Sequence, residues 1–316
     1  MKNRCIVCNT DGLKGMYKID GTDGRVYTLS MCVRCNIASI HPIPVFSRIA
    51  KEYEKEYYKK DSLTLKSILE DDIPFFKLQR KSRMESFKSS GRVLDIGCGG
   101  GGFLKSLDSS KWERHGLEIS DDAAAIASKD KGLKIKIGRL SEESYPASYF
   151  DVVTLWHVFE HLLEPHNQLK IINRILKSGG LLVIAVPNID SLEARVFKKY
   201  WYHLDVPRHV YHYSPHGLEK ILKDHGFKIL KVNGIIPKNL YGIIMSLFNR
   251  AGFDFNLFKD LYMKNVKLRS FRVLLQATLM AIVSPAILLS ALLLFLLETA
   301  SQRPGTFEIF AVKEVD

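Results

Sequence analysis

The chain has 316 residues, 46% of them hydrophobic, and a formal net charge of +12. That length holds one α/β core of about 200 to 250 residues plus additions and removes any need for a disulfide scaffold. Five cysteines, four of them in two close pairs, point to a reducing compartment and a metal site rather than to secreted bridges, and the opening MKNRCIVCNTDG lacks the apolar stretch of a signal peptide. Residues 1–90 carry 17 basic and 11 acidic side chains, 91–190 carry 12 and 13, and 191–316 carry 17 and 10. A neutral middle with basic flanks suits anionic headgroups, phosphorylated substrates or nucleic acid, and charge alone does not choose among them.

The first element is CxxC at Cys5 and Cys8 followed by CxxC at Cys32 and Cys35, with turn-rich sequence between (Asp11-Gly12, Asp20-Gly21, Asp23-Gly24). Four thiolates in two knuckles match tetrahedral zinc, and an all-cysteine set leaves no open position, so the metal is expected to be structural. A redox pair would need a βαβ setting that is missing here. Residues 1–40 therefore read as a zinc-ribbon-like module and 41–90 as a helical linker or lid broken by Pro74.

From Arg92 the pattern becomes β-α-β-α-β: RVLDIG, a glycine loop, GFLKSL, HGLEI, DDAAAIASKD and KIKIG. FDVVTLW (150–156) and GLLVIAVPN (180–188) add two buried strands, with a helix from Pro165 to Lys177 between them. This alternation predicts an α/β fold with a Rossmann-like, doubly wound sheet. After a histidine-rich stretch come the helix GLEKILKDHG, the strand FKILKVNG, and TFEIFAVK (306–313) as a final strand. The expected core is 91–240, with an insertion at 241–305 and the last strand and tail at 306–316.

The loop Asp95-Ile96-Gly97-Cys98-Gly99-Gly100-Gly101-Gly102 contains both G-x-G-x-G and G-x-G-x-x-G, and the second is also the dinucleotide fingerprint. Glu118 at the end of the second strand suits the ribose of either cofactor. Asp95 discriminates, because a carboxylate just before the first glycine repels a pyrophosphate but can hold the ammonium of a methionine moiety. Cys98 reads as a small loop residue rather than a ligand.

VLDIGCGGGGF, HGLEIS, FDVVTLWHVFEHLLEP and LLVIAVPN resemble, in order and spacing, the blocks of class I S-adenosylmethionine-dependent methyltransferases, in the branch containing the ubiquinone-biosynthesis enzymes. The resemblance covers about residues 90–230 and makes Thr306 to Lys313 similar to the family's last, antiparallel strand. It implies that Asp95, Gly97, Gly99, Gly101, Glu118, Ile119, Trp156 and His157 bind the cofactor. Many relatives place an acidic residue after the third strand to meet the adenine. Here that stretch is Gly138-Arg139-Leu140-Ser141, which leaves backbone or Glu142 for the task. Some sugar methyltransferases also begin with a cysteine-rich zinc module, which favours a glycan-type acceptor.

Methyl transfer to a hydroxyl benefits from a general base, and histidine serves best near neutral pH. His157 and His161 follow the fourth strand, and His203, His209 and His212 follow the fifth; His209, His157 and His203 are the candidates singled out, with Asp205 and Arg208 placed to orient an acceptor. Glu160 and His161 could equally cap or orient loops.

Residues 273–297 carry no charge and follow a basic run (Lys259, Lys264, Lys267, Arg269, Arg272). A single span would strand the last strand on the wrong side of a bilayer, and Ser284-Pro285 divides the run into halves too short to cross. The expectation is a re-entrant or monotopic hairpin on an anionic membrane surface, and hence a cytoplasmic, peripheral enzyme; a helix pair buried in protein is the alternative. The function expected is methylation of a small or lipid-linked acceptor, a glycan precursor or quinone-like molecule, at the cytoplasmic membrane face. Two rivals stand beside it: an RNA methyltransferase using the zinc ribbon and basic flanks, and an inactive cofactor-binding scaffold. No aromatic-interleaved basic stretch supports nucleic acid.

Overall fold

The computed structural model describes residues 4–5, 7–45, 47, 49, 74–234, 236–253 and 271–315. Most of the expected 41–90 helical linker and the basic residues from Lys259 to Arg269 lie outside the described residues. What is described of the linker ends in α1 (Pro74–Glu85).

The core follows as β4 (Gly91–Ile96), α2 (Gly102–Ser106), β5 (Trp112–Glu118), α3 (Asp121–Ala127), β6 (Leu133–Ile137), β7 (Phe150–Trp156), α4 (Pro165–Ile175) and β8 (Leu176–Pro187). Beyond it lie α5 (Leu192–Phe197), α6 (Pro215–Lys223), β10 (Phe227–Gly234) and β11 (Thr306–Lys313). These strands make one seven-stranded sheet in the order β6-β5-β4-β7-β8-β11-β10. β4 to β8 run parallel, and β11 inserts antiparallel to both β8 and β10. β7 is buried along nearly its whole length, as a strand covered by helices on both faces should be. The Rossmann-like sheet with a final antiparallel strand is the fold the sequence predicts. α4 stops at Ile175, two residues earlier than expected, and Gly179-Gly180 lie inside β8 rather than ending the helix.

The cysteine module is a second sheet of β1 (Leu13–Asp20), β2 (Val26–Cys32) and β3 (Ala38–His41), all antiparallel. Its fourth strand is not local. β9 (Tyr211–His212), from the histidine-rich loop after β8, pairs with β3 through Ala38–His212 and Ser39–Tyr211. Ile40 N donates to Val210 O (3.1 Å), Thr22 N to Val206 O (3.0 Å) and Ser214 Oγ to Asn36 O (2.8 Å). His166 on α4 also meets the Val7 carbonyl. The hydrophobic core is continuous from Cys5 and Leu29 into Phe159 and Tyr213, so the module and the enzyme core bury one another.

The insertion is a helix pair, α7 (Ile236–Arg250) and α8 (Phe271–Ser301). The expected bend at Ser284-Pro285 does not occur: α8 runs unbroken through Pro285 for 31 residues, about 46 Å at 1.5 Å per residue. Proline removes one backbone donor, which a long apolar helix tolerates, and Ser284 Oγ donates to the Met280 carbonyl one turn back (2.5 Å). The hairpin exists between α7 and α8 instead. Gly234 pairs with Phe307, so the start of α7 and the end of α8 lie at the same end of the sheet and the packed helices run antiparallel. Phe248, Met280 and Ile287 form their shared core.

Candidate active site

Glycines make the turn from β4 to α2 because its backbone is left-handed at three positions: Gly97 (φ +70°), Gly99 (+53°) and Gly101 (+77°). A Cβ on Gly97 would stand 2.5 Å from Val158 Cγ2, and one on Gly101 2.9 Å from Leu133 Cδ1, whereas one on Gly99 meets nothing within 4 Å. Two of these glycines therefore permit packing, and the third keeps a face of the loop open. Cys98 is buried beneath the loop, where a Cβ on Gly116 would strike its sulfur (2.6 Å), and burial pushes its thiol up. It is packing, as the sequence suggests.

The carboxylate of Glu118, at the end of β5, ties this turn together. Its Oε2 accepts from Gly99 N (2.8 Å), and Oε1 accepts from Ile119 N (2.8 Å) and Ser120 N (2.9 Å). A carboxylate has about four acceptor positions, so these three bonds leave capacity for a ligand hydroxyl. Ile119 is exposed beside it. Asp95 is buried, and its Oδ1 accepts a 2.6 Å bond from Thr154 Oγ on the neighbouring strand β7. Thr154 is a partner that sequence reasoning missed, because only the register of β4 against β7, which pairs Asp95 with Thr154, reveals it.

At the end of β7, Trp156 lies mostly inside, edge-on to Phe103 (5.3 Å) and under the guanidinium of Arg80 (5.0 Å). His157 then turns left-handed (φ +57°), a conformation uncommon for a residue with a Cβ, and remains partly exposed. In the 3₁₀ turn that follows (Phe159–His161), Glu160 is 1% exposed. Its Oε1 lies 3.6 Å from His157 Nδ1 and 3.9 Å from His209 Nε2. The structure thus brings His157 and His209 together around a carboxylate that the sequence offered only as a loop-orienting residue.

His209 hydrogen-bonds the His203 carbonyl through Nδ1 (2.7 Å). Full burial, reinforced by His161, pushes its pKa well below the ordinary value of 6.5, which disfavours it as a proton acceptor near neutral pH. His203 meets His209 through its backbone carbonyl, and its ring packs between Trp201 (5.6 Å) and Tyr202 (5.2 Å), on the side facing Gly242 of α7 and Glu193. Arg208 is clamped on Asp205 Oδ1 (2.9 and 2.6 Å), so this pair holds the loop. Gly138 to Ser141 leave β6 with Leu140 buried and Glu142 exposed, and Arg174 grips the Glu142 carbonyl. A groove of about 630 Å³ lies at the opposite end of the sheet, where Arg92 pairs with Glu113 and Lys177 with Asp151 (both 2.8 Å).

In the cysteine module, Cys5 Sγ lies 3.7 Å from Cys35 Sγ and Cys8 Sγ 3.5 Å from Cys32 Sγ, and all four sulfurs fall within 4.8 Å of one another. These separations are far beyond a disulfide bond of about 2.05 Å. They are close to the edge of about 3.8 Å that a tetrahedron with metal–sulfur bonds of about 2.3 Å requires.

Residues 71–232 match the family profile described as a methyltransferase domain, just over half of the chain. An uncharacterized protein of Methanocaldococcus jannaschii is 26% identical over 196 residues, 62% of this chain and 87% of that one. The ubiquinone biosynthesis O-methyltransferase of Azoarcus sp. (strain BH72) is 27% identical over 157 residues, 46% of this chain and 67% of that one. Among solved structures, phosphoethanolamine N-methyltransferase 2 of Haemonchus contortus, in complex with phosphomonomethylethanolamine and S-adenosylhomocysteine, aligns with a TM-score of 0.57. That alignment has 17% identity and covers 95% of this chain and 71% of that one. With the seven-stranded sheet and the glycine turn after β4, these matches lead to one conclusion: the chain belongs to the methyltransferase-domain family and is a class I S-adenosylmethionine-dependent methyltransferase.

Proposed function

We propose that this enzyme methylates a small or lipid-linked acceptor, of the glycan-precursor or quinone type, at the cytoplasmic face of a membrane. The observation that carries the reading is the outer face of α8. The most apolar stretch within Thr278–Ser301 has a mean hydropathy of 2.6 and only 17% of it is buried, and Ile282, Leu289, Leu293, Leu296 and Leu297 stand in solvent. A monomeric soluble protein rarely leaves so long an apolar face open, and the basic excess of residues 191–316 complements anionic headgroups. The helix pair reaches the acceptor side directly, since Ser246 of α7 accepts from Tyr202 N (2.9 Å). Relatives named for ubiquinone biosynthesis support a small-molecule acceptor.

S-adenosylmethionine, when bound, supplies a methyl group activated on a sulfonium. The residues fit it: the open face at Gly99, the remaining capacity of Glu118, exposed Ile119 and the buried carboxylate of Asp95 are what such a molecule needs. Trp156 and His157 border the reaction centre, and His157, partly exposed and next to Glu160, is the side chain best placed to take an acceptor proton. The four cysteines would hold a zinc ion that fixes the module against the histidine loop.

The test uses purified full-length protein with labelled S-adenosylmethionine and vesicles of phosphatidylcholine with phosphatidylglycerol. Wild type is expected to float with the vesicles and to label the lipid fraction of a membrane extract. The Leu289→Glu/Leu293→Glu/Leu296→Glu variant should lose flotation while binding cofactor normally. Equal behaviour of the two proteins on vesicles would remove the membrane reading.

A further inference from the structure

Among the described residues, one group of side chains besides the cysteine cluster converges as metal ligands do. Glu160, His161 and His209 each bring one ligand atom to within 4.8 Å of the others. The two imidazoles come from different loops, one after β7 and one after β8, and their rings meet at 4.6 Å. Val210 N bonds the Glu160 carbonyl (2.9 Å), which holds the two loops in register.

The tautomers follow from the partners. His161 Nδ1 lies 3.0 Å from the Arg208 carbonyl, and His209 Nδ1 lies 2.7 Å from the His203 carbonyl. A carbonyl oxygen can only accept, so in each ring Nδ1 carries the proton and Nε2 carries the lone pair in the neutral imidazole. In His209 this leaves one ring nitrogen on a backbone carbonyl and the other facing Glu160, the arrangement that orients metal-bound histidines, and in His161 it leaves Nε2 as the lone-pair donor. His209 Nε2 faces the Glu160 carboxylate at 3.9 Å and Asp205 Oδ2 at 3.8 Å. Arg208 already engages Asp205 through Oδ1, and the Glu160 carboxylate and the His209 lone pair face one another across a small space, as two donors to one cation would.

We propose that Glu160, His161 and His209 form a binding site for a divalent first-row metal ion, distinct from the cysteine site and placed at the acceptor side of the methyl-transfer centre. Two histidines and one carboxylate leave coordination positions open, unlike four cysteines, and this donor set suits zinc, manganese or iron(II). Metal–ligand bonds of about 2.0 to 2.2 Å would draw the three ligand atoms to roughly 3 to 3.5 Å apart, a small adjustment of side chains already in place. Asp205, beside His209, and His157, beside Glu160, are the next groups in reach. Open positions would be available to an acceptor that carries an ionisable oxygen, and partly exposed His157 lies beside Glu160. That last role rests on the methyltransfer reading above; the metal site itself does not.

Binding is measured with the metal alone. Full-length protein, its cysteine site first saturated with zinc, is titrated with Mn²⁺ or Co²⁺, and bound metal is counted by elemental analysis after desalting. Wild type should take up one further equivalent. Glu160→Gln, which keeps the shape and removes the charge, should weaken that uptake at least a hundredfold, and so should His161→Gln, at a less buried position, if the first variant does not fold. Co²⁺ at this site should show no sulfur-to-metal charge-transfer band, which separates it from the cysteines. Uptake confined to the cysteine site in wild type, or a second equivalent retained in the folded variants, would overturn the proposal. Cofactor titration of the same samples reads the methyltransferase reading separately, because loss of cofactor binding with metal uptake intact would count only against the latter.

Discussion

The glycine turn allows a test in which strain and ligand contact can be told apart. Gly97 and Gly99 are both left-handed, so an alanine at either costs about 1 to 2 kcal/mol of backbone strain. At Gly97 the new methyl would also stand 2.5 Å from Val158 Cγ2, adding roughly 1 to 3 kcal/mol of overpacking. At Gly99 it meets nothing within 4 Å, so strain is the whole cost to folding. Gly99→Ala is therefore expected to lower the melting temperature by only about 2 to 8 °C. Its methyl projects into the face the cofactor should fill, and the dissociation constant for S-adenosylmethionine should rise at least tenfold, about 1.4 kcal/mol. Gly179→Ala is the control, since Gly179 is also left-handed (φ +68°) with open space around it, near the start of β8 and far from the turn. It should cost similar stability and leave binding unchanged. Calorimetric titration with S-adenosylmethionine and its demethylated product, beside thermal unfolding, reads both quantities. If Gly99→Ala binds as wild type does, the cofactor does not approach this face of the loop and the placement is wrong.

Three further outcomes are expected. Thr154→Val removes the hydroxyl that donates to buried Asp95, which should cost about 1.5 to 3 kcal/mol in urea unfolding and weaken cofactor binding; a neutral result would show that Asp95 is held by its other contacts alone. Cys8→Ser or strong chelation should raise hydrogen exchange in residues 203–213 as well as in 5–35, because β9 is a strand of the cysteine module's sheet; exchange confined to the module would deny that coupling. Burial pushes His212 down to about 4 and its Nδ1 has no hydrogen-bond partner among the described residues. The unfolded state, titrating near 6.5, therefore binds more protons, and stability falls as the pH drops from 6.5 towards 4. By pH 5 this amounts to about 2 kcal/mol, which His212→Gln should abolish relative to its own value at pH 7.5, and parallel pH profiles for the two proteins would rule the mechanism out.

β4, β7 and the second half of β8 were legible as short apolar runs, and the cysteine pairs because their spacing admits few chemistries. Asp95, Glu118 and the glycines were legible for the same reason: they lie within a few residues of strand ends, so local sequence fixes their position in the sheet. Two of the misses are products of long-range pairing. Thr154 reaches Asp95 only through strand register, and Glu160 meets His209 only after a return of 49 residues. His203, close to His209 in sequence, points its ring elsewhere because the 3₁₀ turn Tyr202–Leu204 rotates it towards α7. The continuity of α8 ran against the usual effect of proline, since an apolar helix packed on α7 tolerates the lost bond.

The loop from Trp201 to Tyr213 is where these separate pieces meet. Residues 211–212 are a strand of the cysteine module, Tyr202 N is held by Ser246 of the apolar hairpin, Trp201 Nε1 donates to Glu193 of α5 (3.2 Å), and His209 faces Glu160 after β7. A loop of this length with so few backbone bonds of its own would not keep three histidines in fixed orientations, and the braces from the cysteine module and the apolar hairpin come from elements that the bare seven-stranded fold does not need. The cysteine module and the helix hairpin are thus connected physically through one segment on the acceptor side. Disturbing the apolar hairpin, for instance by seating it on a membrane, can reach the histidines through Ser246 and Tyr202 and through Gly242 beside His203, while the glycine turn stays fixed by Glu118 and the central sheet. Acceptor handling and cofactor binding should therefore respond separately to changes at α8, with KM for the acceptor moving while the affinity for S-adenosylmethionine holds.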